Sequence, residues 1–431
     1  MALRSRFAAI AATLLTVTTV GALPAGADDT AAGLYVDEQD LNSLSTVVHR
    51  NGAEFAGSWY DHDAKRFVVA VADGADPAKA RDRVTGVARS RRSPDAGIRL
   101  EFESRPRSLT ALQDALAKVD AVLQAPDAAR RATVSSWYVD QRQGKVVVHA
   151  RENTAELAAS LRREAGDAVE VVRDDTTYRT LEKKETTSTP PRVVRLPDPK
   201  AGPSAGVAAA DAANRVQDGF PYYTGNRIIR VAGNSISQCS TAAVNYPQTH
   251  VYTAGHCYRV GEVIYQGYFD GGTNTVYVTG QAGTVESVQW GNGRIDAESL
   301  RTNRYTNRQW HGSVTFPTDL YQTKDTSNYL GLRVCGNGSV SGTQCTGEVS
   351  ATNVCIFYSD ANINVCGLTK VRPLNGADLS DNGDSGGPVI LDSTGTGARV
   401  VGIISGESNA GDMAYTPISA ACAQVTPYTC D

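Results

Sequence analysis

The period of the hydrophobic positions divides the chain. Between residues 28 and 181 two stretches alternate. Gly57-Ser58-Trp59-Tyr60-Asp61 leads into Lys65-Arg66-Phe67-Val68-Val69-Ala70-Val71, and Ser135-Ser136-Trp137-Tyr138-Val139-Asp140 leads into Lys145-Val146-Val147-Val148-His149-Ala150. An aromatic strand, a polar turn and a β-branched strand predict a hairpin in each case. A charged, Ala-rich stretch of helical spacing follows each hairpin, 77–90 after the first and 154–165 after the second. This repeat predicts an α+β half made of two β-β-α units. Neither unit is large enough to bury much core alone, so the two are expected to pack together. From Arg227 on the pattern shortens. Residues 228–231, 251–253, 263–268, 275–279, 283–290 and 400–404 are short apolar runs broken by Gly, Asn and Ser. No stretch there has convincing helical spacing, and two antiparallel barrels are the expectation.

Two segments fit neither pattern. Residues 182–219 hold Lys183-Lys184, a Thr/Ser/Pro run and Pro197, Pro199 and Pro203, ending in small residues. This composition predicts an extended or mobile linker and processing region. Residues 1–27 carry Arg4 and Arg6, an uncharged apolar and Thr run from Phe7 to Val20, and Ala25-Gly26-Ala27. These are the parts of a secretory signal, and the run is short for a bilayer span of about 20 residues. The expected product is extracellular and, with the signal removed, free of the membrane.

Composition sharpens the division. Residues 1–200 contain 57 Lys, Arg, Asp and Glu, against 31 in residues 201–431, and all eight Cys lie from Cys239 to Cys430. A charge-rich, thiol-free half precedes a charge-poor, Cys-rich one, as in a protein with a temporary first half. The net charge of −4 gives no footprint for a nucleic-acid partner. Eight Cys in a secreted domain imply four bridges among 105 possible pairings. No Cys-x-x-Cys is present, so no zinc site is expected. His49, His62 and His149 have no ligand partner at metal spacing and are expected to be structural or surface residues.

The chemistry centres on Gly383-Asp384-Ser385-Gly386-Gly387-Pro388. A serine hydroxyl needs a base to take its proton and donors to hold the oxyanion its attack creates. The same Gly-x-Ser-x-Gly pattern marks the elbow of α/β-hydrolases, but there the His follows the Ser. Here all six His precede Ser385. The order His, Asp, Ser remains. His256 stands in Val251-Tyr252-Thr253-Ala254-Gly255-His256-Cys257, where an apolar strand ends in two small residues and an anchoring Cys.

Thr-Ala-Gly-His-Cys followed by Gly-Asp-Ser-Gly-Gly-Pro resembles the chymotrypsin-like serine proteases, most closely the secreted bacterial branch of streptogrisins and alpha-lytic protease, over residues 226–431. The first half resembles the pro-regions of those precursors in its Gly-Ser-Trp-Tyr-Asp and Val-Val-Val strands. The resemblance implies two antiparallel six-stranded barrels in a protease domain at 220–431. It also implies a pro-region at 28–181 that assists folding and then inhibits its own enzyme. Such an enzyme is expected to hydrolyse proteins or peptides as a monomer without metal or cofactor. An esterase with the same triad and an inactive binding protein are the alternatives.

Asp296, forty residues after His256, is the expected acid, with Asp270 as a rival that reads better as a turn residue. Asp-Ala-Glu-Ser-Leu at 296–300 departs from the family's apolar run. By the resemblance, the N–H groups of Gly383 and Ser385 form the oxyanion hole. Ser405 either lies near the triad Asp and opens the substrate-binding strand or is an ordinary strand-end Ser. The resemblance further implies Cys239–Cys257 and Cys335–Cys345, and the expected remaining pairs are Cys355–Cys366 and Cys422–Cys430. A family bridge beside the nucleophile is missing, since Asp381 stands at one of its positions. Leu379 stands where trypsin-like enzymes carry an Asp. Gly406, Glu407, Asp412 and Met413 lie near the expected pocket, so a basic side-chain preference stays open. For the buried Asp384, Arg333, Arg372 and a processed N-terminal amine are the candidate cations.

Overall fold

The computed structural model describes residues 34–87, 97–125, 133–152, 154–200, 213–391 and 397–425. The expected signal segment lies outside them. Both hairpins form where the alternation predicts them. Phe55–Asp61 pairs antiparallel with Arg66–Ala72, and Val134–Asp140 with Lys145–Ala150. Helices Pro77–Thr85 and Thr154–Ala165 follow. The first is capped by Asp76, which accepts from Ala78 and Lys79 N–H, with Pro at the first helical position. Each unit also gains a parallel third strand, Ile98–Arg105 beside Arg66–Ala72 and Val169–Arg173 beside Lys145–Ala150.

The two units touch, the Ser58 N–H donating to Gln141 Oε1 at 2.9 Å, but each places its main apolar face in a separate cluster. Phe55, Trp59, Phe67 and Val69 join an apolar cluster with Tyr329, Leu330 and Leu332 of the second half. Trp137, Val146 and Val148 join a separate one with Leu112, Leu116 and Cys355. Helix Leu109–Leu123, capped by Ser108, supplies those leucines. The edge of Val134–Asp140 pairs with strand Gly342–Tyr358 of the second half, Trp137 opposite Cys355. Each unit is too small to cover its own apolar face, and the second half offers both an apolar surface and a free strand edge.

The second half is built mainly of antiparallel strands, from four residues in His250–Thr253 to seventeen in Gly342–Tyr358. In its first sheet the order is His250–Thr253, Ala297–Arg301, Thr275–Gln289, Val263–Asp270, Arg227–Ala232, Ser235–Ser240. This path returns on itself: Ala242 N–H donates to Tyr252 O and Tyr252 N–H to Ala243 O, both at 2.8 Å. A second circuit runs Arg333–Gly338, Gly342–Tyr358, Ile363–Pro373, Met413–Pro417, Gly397–Ser408, Pro388–Leu391 and back.

Two expectations need correction. Ile418–Val425 is a helix, with Ile418, Ala421, Cys422 and Val425 forming its buried stripe. Of the expected linker, the described residues 182–200 and 213–219 lie against the second half. Lys183–Thr186 pairs with Ser235–Gln238, Arg192–Arg195 pairs with Thr275–Val278, and Arg215 is wholly buried. Among the described residues no helix is long and apolar enough to cross a membrane.

Candidate active site

His256 follows strand His250–Thr253 at the rim of the first circuit. A Cβ at Gly255 would collide with the carbonyl oxygens of Gln289 and Ala297, so only Gly lets the chain turn there. Cys257 is bonded to Cys239, which fixes the residue after the imidazole. Asp296 lies just before strand Ala297–Arg301, fully buried. Ser385 lies before strand Pro388–Leu391 of the second circuit, between Gly383 (φ 103°) and Gly386 (φ 80°). At Gly386 a Cβ would overlap Thr253 and the Ser240 carbonyl. Ser240 joins the two circuits here: its N–H donates to Ser385 O at 2.7 Å and its hydroxyl to Gly383 O at 2.8 Å.

The three side chains converge. His256 Nε2 is 2.7 Å from Ser385 Oγ, and Nδ1 is 2.7 Å from Asp296 Oδ2. Asp296 Oδ1 accepts from the His256 backbone N–H at 3.0 Å. Ser405 donates to Asp296 Oδ2 at 2.5 Å, which leaves its hydroxyl to accept from Tyr358, 2.7 Å away. Ser405 therefore lies beside Asp296, inside strand Gly397–Ser408. Asp270 is a turn residue, accepting from Gly272 N–H and Thr273. Burial opposes a charge on His256, and the Asp296 carboxylate more than offsets it, so the imidazole pKa is raised. An imidazole so placed can take a hydroxyl proton and hold the resulting charge against Asp296.

Asp384 is tied by backbone. Its carboxylate accepts from the N–H groups of Val340 (2.6 Å), Ser341 (3.2 Å) and Asp381 (2.9 Å). Burial raises its pKa. Arg333 and Arg372, the candidate partners, instead engage Glu348 at 3.3 and 2.6 Å. The cations that feel Asp384 are Arg215 and Arg227, both lowered by burial and partly restored by that carboxylate, Arg215 to about 10. Arg215 hydrogen-bonds to Asn337 Oδ1 at 2.6 Å and to three carbonyls. No local pattern in the sequence points to this role.

The crevice is occupied by the chain's own residues. Tyr178–Thr180 pairs antiparallel with the strand end at 406–408. Gly383 N–H donates to Leu181 O at 2.5 Å. Leu181 is fully buried in the cluster that holds Leu379, Ile404 and Met413. Gly406 faces Thr180, and Arg179 reaches Glu407 at 2.5 Å. Asp412 is paired with Lys370 at 2.9 Å. Asp412 is thus engaged outside the crevice, whereas Glu407 holds Arg179 of the occupying segment, two residues before Leu181. Among the described residues, Cys239, His256 and Cys257 lie close enough to hold a metal, but the two sulfurs are bonded to each other. The bridges Cys335–Cys345 and Cys355–Cys366 are present. Cys422 is also disulfide-bonded, and its expected partner Cys430 lies outside the described residues.

Glu298, the departure noted beside Asp296, is fully buried; burial and then Asp296 push its pKa well above the usual carboxylate range. The folded chain thus holds a proton that the unfolded chain releases near pH 4.3. Stability must fall as pH rises from that value toward the raised one, by about 1.4 kcal/mol per unit. Glu298→Gln removes the proton. In an inactive Ser385→Ala background, its Tm is expected to gain on the parent's between pH 5 and pH 8. Parallel Tm curves would remove this account.

Residues 28–83 match the family model described as alpha-lytic protease pro N-terminal, and residues 107–168 the one described as alpha-lytic protease prodomain. No curated protein matches the chain. Among solved structures the chain is similar to Thermobifida fusca protease A, at 25% identity and a TM-score of 0.34, covering 47% of this chain and 94% of that one. Cellulomonas bogoriensis chymotrypsin is similar at 21% identity and a TM-score of 0.31, over 46% and 91%. The Nocardiopsis protease follows at 23% and 0.30, over 42% and 86%. The chain is similar to precursors of chymotrypsin-like bacterial serine proteases, two segments of its first half matching models of the alpha-lytic protease pro-region.

Proposed function

We propose that the chain is the precursor of a secreted serine endopeptidase whose first substrate is its own Leu181–Glu182 bond. One observation carries this reading. Ser385 Oγ sits 2.7 Å from the His256 imidazole while the Leu181 carbonyl oxygen sits on the Gly383 N–H. In the reaction Ser385 Oγ attacks the Leu181 carbonyl carbon and His256 Nε2 takes its proton. Asp296 holds the imidazolium, and the N–H groups of Gly383 and Ser385 hold the oxyanion. The Leu181–Glu182 C–N bond then breaks, and His256 returns the proton to the departing amine. Water, activated by the same imidazole, releases the acyl group. Until that cut, residues 178–181 deny the crevice to other substrates, so the pro-region acts as an intramolecular inhibitor. The signal-like start and the disulfides support an extracellular site of action.

The apolar surroundings of Leu181, which include Leu379, Ile404 and Met413, favour an aliphatic residue before the scissile bond. Cleavage of a peptide library by the processed enzyme is expected to select Leu or Met at that position. A preference for Arg or Lys would overturn this reading of the pocket, and failure of a serine-directed inhibitor to label Ser385 would overturn the enzyme itself.

A further inference from the structure

Beyond the Leu181 carbonyl the chain does not leave the enzyme. Glu182 bonds Ser237 Oγ and lies 2.6 Å from the Lys184 ammonium. Lys183–Thr186 runs antiparallel along Ser235–Gln238, from Lys183 opposite Gln238 to Thr186 opposite Ser235, and Thr187 N–H donates to Asn234 O at 3.0 Å. Arg192–Arg195 then pairs in parallel with Thr275–Val278, extended by Leu196 N–H to Val278 O at 2.8 Å. Lys200 ends the strap. Its ammonium is 2.7 Å from the buried Asp218 carboxylate, 2.6 Å from Pro221 O and 3.3 Å from the Tyr223 ring centroid. A cation held between an acid and an aromatic face, largely out of water, is a strong anchor.

Residues after a scissile carbonyl occupy the leaving-group side of a protease crevice. The Ser235–Gln238 edge is therefore where the leaving-group half of an extended substrate adds as a strand. Glu182 and Lys184 also wall a cavity of about 540 Å³ that runs from His256 past Tyr258 and Arg259. Hydrolysis of the Leu181–Glu182 bond breaks none of these contacts, because every one of them joins residues on the catalytic side of the cut.

We propose that residues 182–200 remain on the catalytic chain after that cut and stay docked along Ser235–Gln238, so that the new N-terminal segment inhibits the leaving-group side of the crevice. This rests on the endopeptidase reading above. Loss of residues 28–181 opens only the acyl side, the strand end at 406–408. Full competence toward polypeptides needs a second event, displacement of the strap or a further cut within it. A tether presents the strand at an effective concentration on the order of millimolar, so even a segment of weak intrinsic affinity stays bound most of the time.

Two substrates separate the sides. A peptidyl-leucine methyl ester uses the acyl side and a one-carbon leaving group, whereas a quenched peptide with six residues after its leucine needs the Ser235–Gln238 edge. The full chain, with and without Lys200→Ala or Val194→Pro, is allowed to process itself, and active sites are counted with a serine-directed label. Both substitutions weaken the strap without touching the crevice, the second by placing proline inside a strand. The expected result is a ratio of peptide to ester turnover that rises about tenfold in the variants, as for a segment docked nine-tenths of the time. In the parent, the N-terminus is expected at Glu182, with slow amide exchange at residues 184–186. An unchanged ratio, a parent N-terminus beyond Lys200, or fast exchange at 184–186 would each overturn the proposal. The exchange measurement stands even if a variant fails to fold. Absence of the label points instead to failure of the enzyme reading.

Discussion

Ser385→Ala is expected to leave the chain uncut between Leu181 and Glu182, whereas the parent yields a fragment beginning at Glu182. The substitution removes one oxygen. The Gly383 N–H still holds the Leu181 carbonyl, and the Ser240 N–H still holds the Ser385 backbone oxygen, so the loop and the docked strand persist. What disappears is the hydroxyl that lies against His256 Nε2. Removing the nucleophile of such a triad lowers the rate by on the order of 10⁶, which turns a self-limited precursor into a stable one on any laboratory timescale. Intact mass and N-terminal sequencing decide it. Should the Ala variant be cut at Leu181–Glu182 at the parental rate, another protease makes the cut, and the role given to Ser385 in processing is lost.

Asp296→Asn is the second large effect. Asp296 accepts from His256 Nδ1, the His256 backbone N–H and Ser405 at once. An asparagine keeps the volume and can keep some of these bonds, so disulfides and secondary structure are expected to survive. Its NH₂, however, donates where the carboxylate accepted. It favours the tautomer with a bare Nδ1 and a protonated Nε2, which cannot take the Ser385 proton. It also withdraws the charge that raises the His256 pKa. Turnover of the leucine ester is expected to fall by about 10⁴-fold at neutral pH. A folded Asn variant with parental turnover would show that Asp296 is not the acid.

Much of the site could be read from residue order because its requirements are local. Gly255 and Gly386 are needed where a Cβ would strike carbonyl oxygens or Thr253, and such steric needs leave a fixed spelling around His256 and Ser385. Alternation at 57–71 and 135–150 likewise wrote the hairpins directly. Helix Ile418–Val425 escaped notice although its stripe at 418, 421, 422 and 425 has helical spacing, because it is short and its exposed face carries little charge. Arg215 looked like part of a linker, and the buried surroundings that hold it come from residues 225, 312–313, 337 and 343. No window of sequence contains them.

Taken alone, the sequence determined the order of the groups in the proposed chemistry: a His, an Asp and a Ser, each in a stretch whose small residues or strand pattern set its local backbone. It also determined that a charge-rich half precedes a Cys-rich one. Only the tertiary structure decided what lies in the crevice. Lys183-Lys184-Glu185-Thr186 has the composition of a solvated linker, yet it forms a strand, because strand addition uses the N–H and C=O that every non-proline residue carries. Whether such a segment docks depends on which edge is left unpaired nearby, and the edge at Ser235–Gln238 is left open because its hairpin partner Arg227–Ala232 covers only the other side.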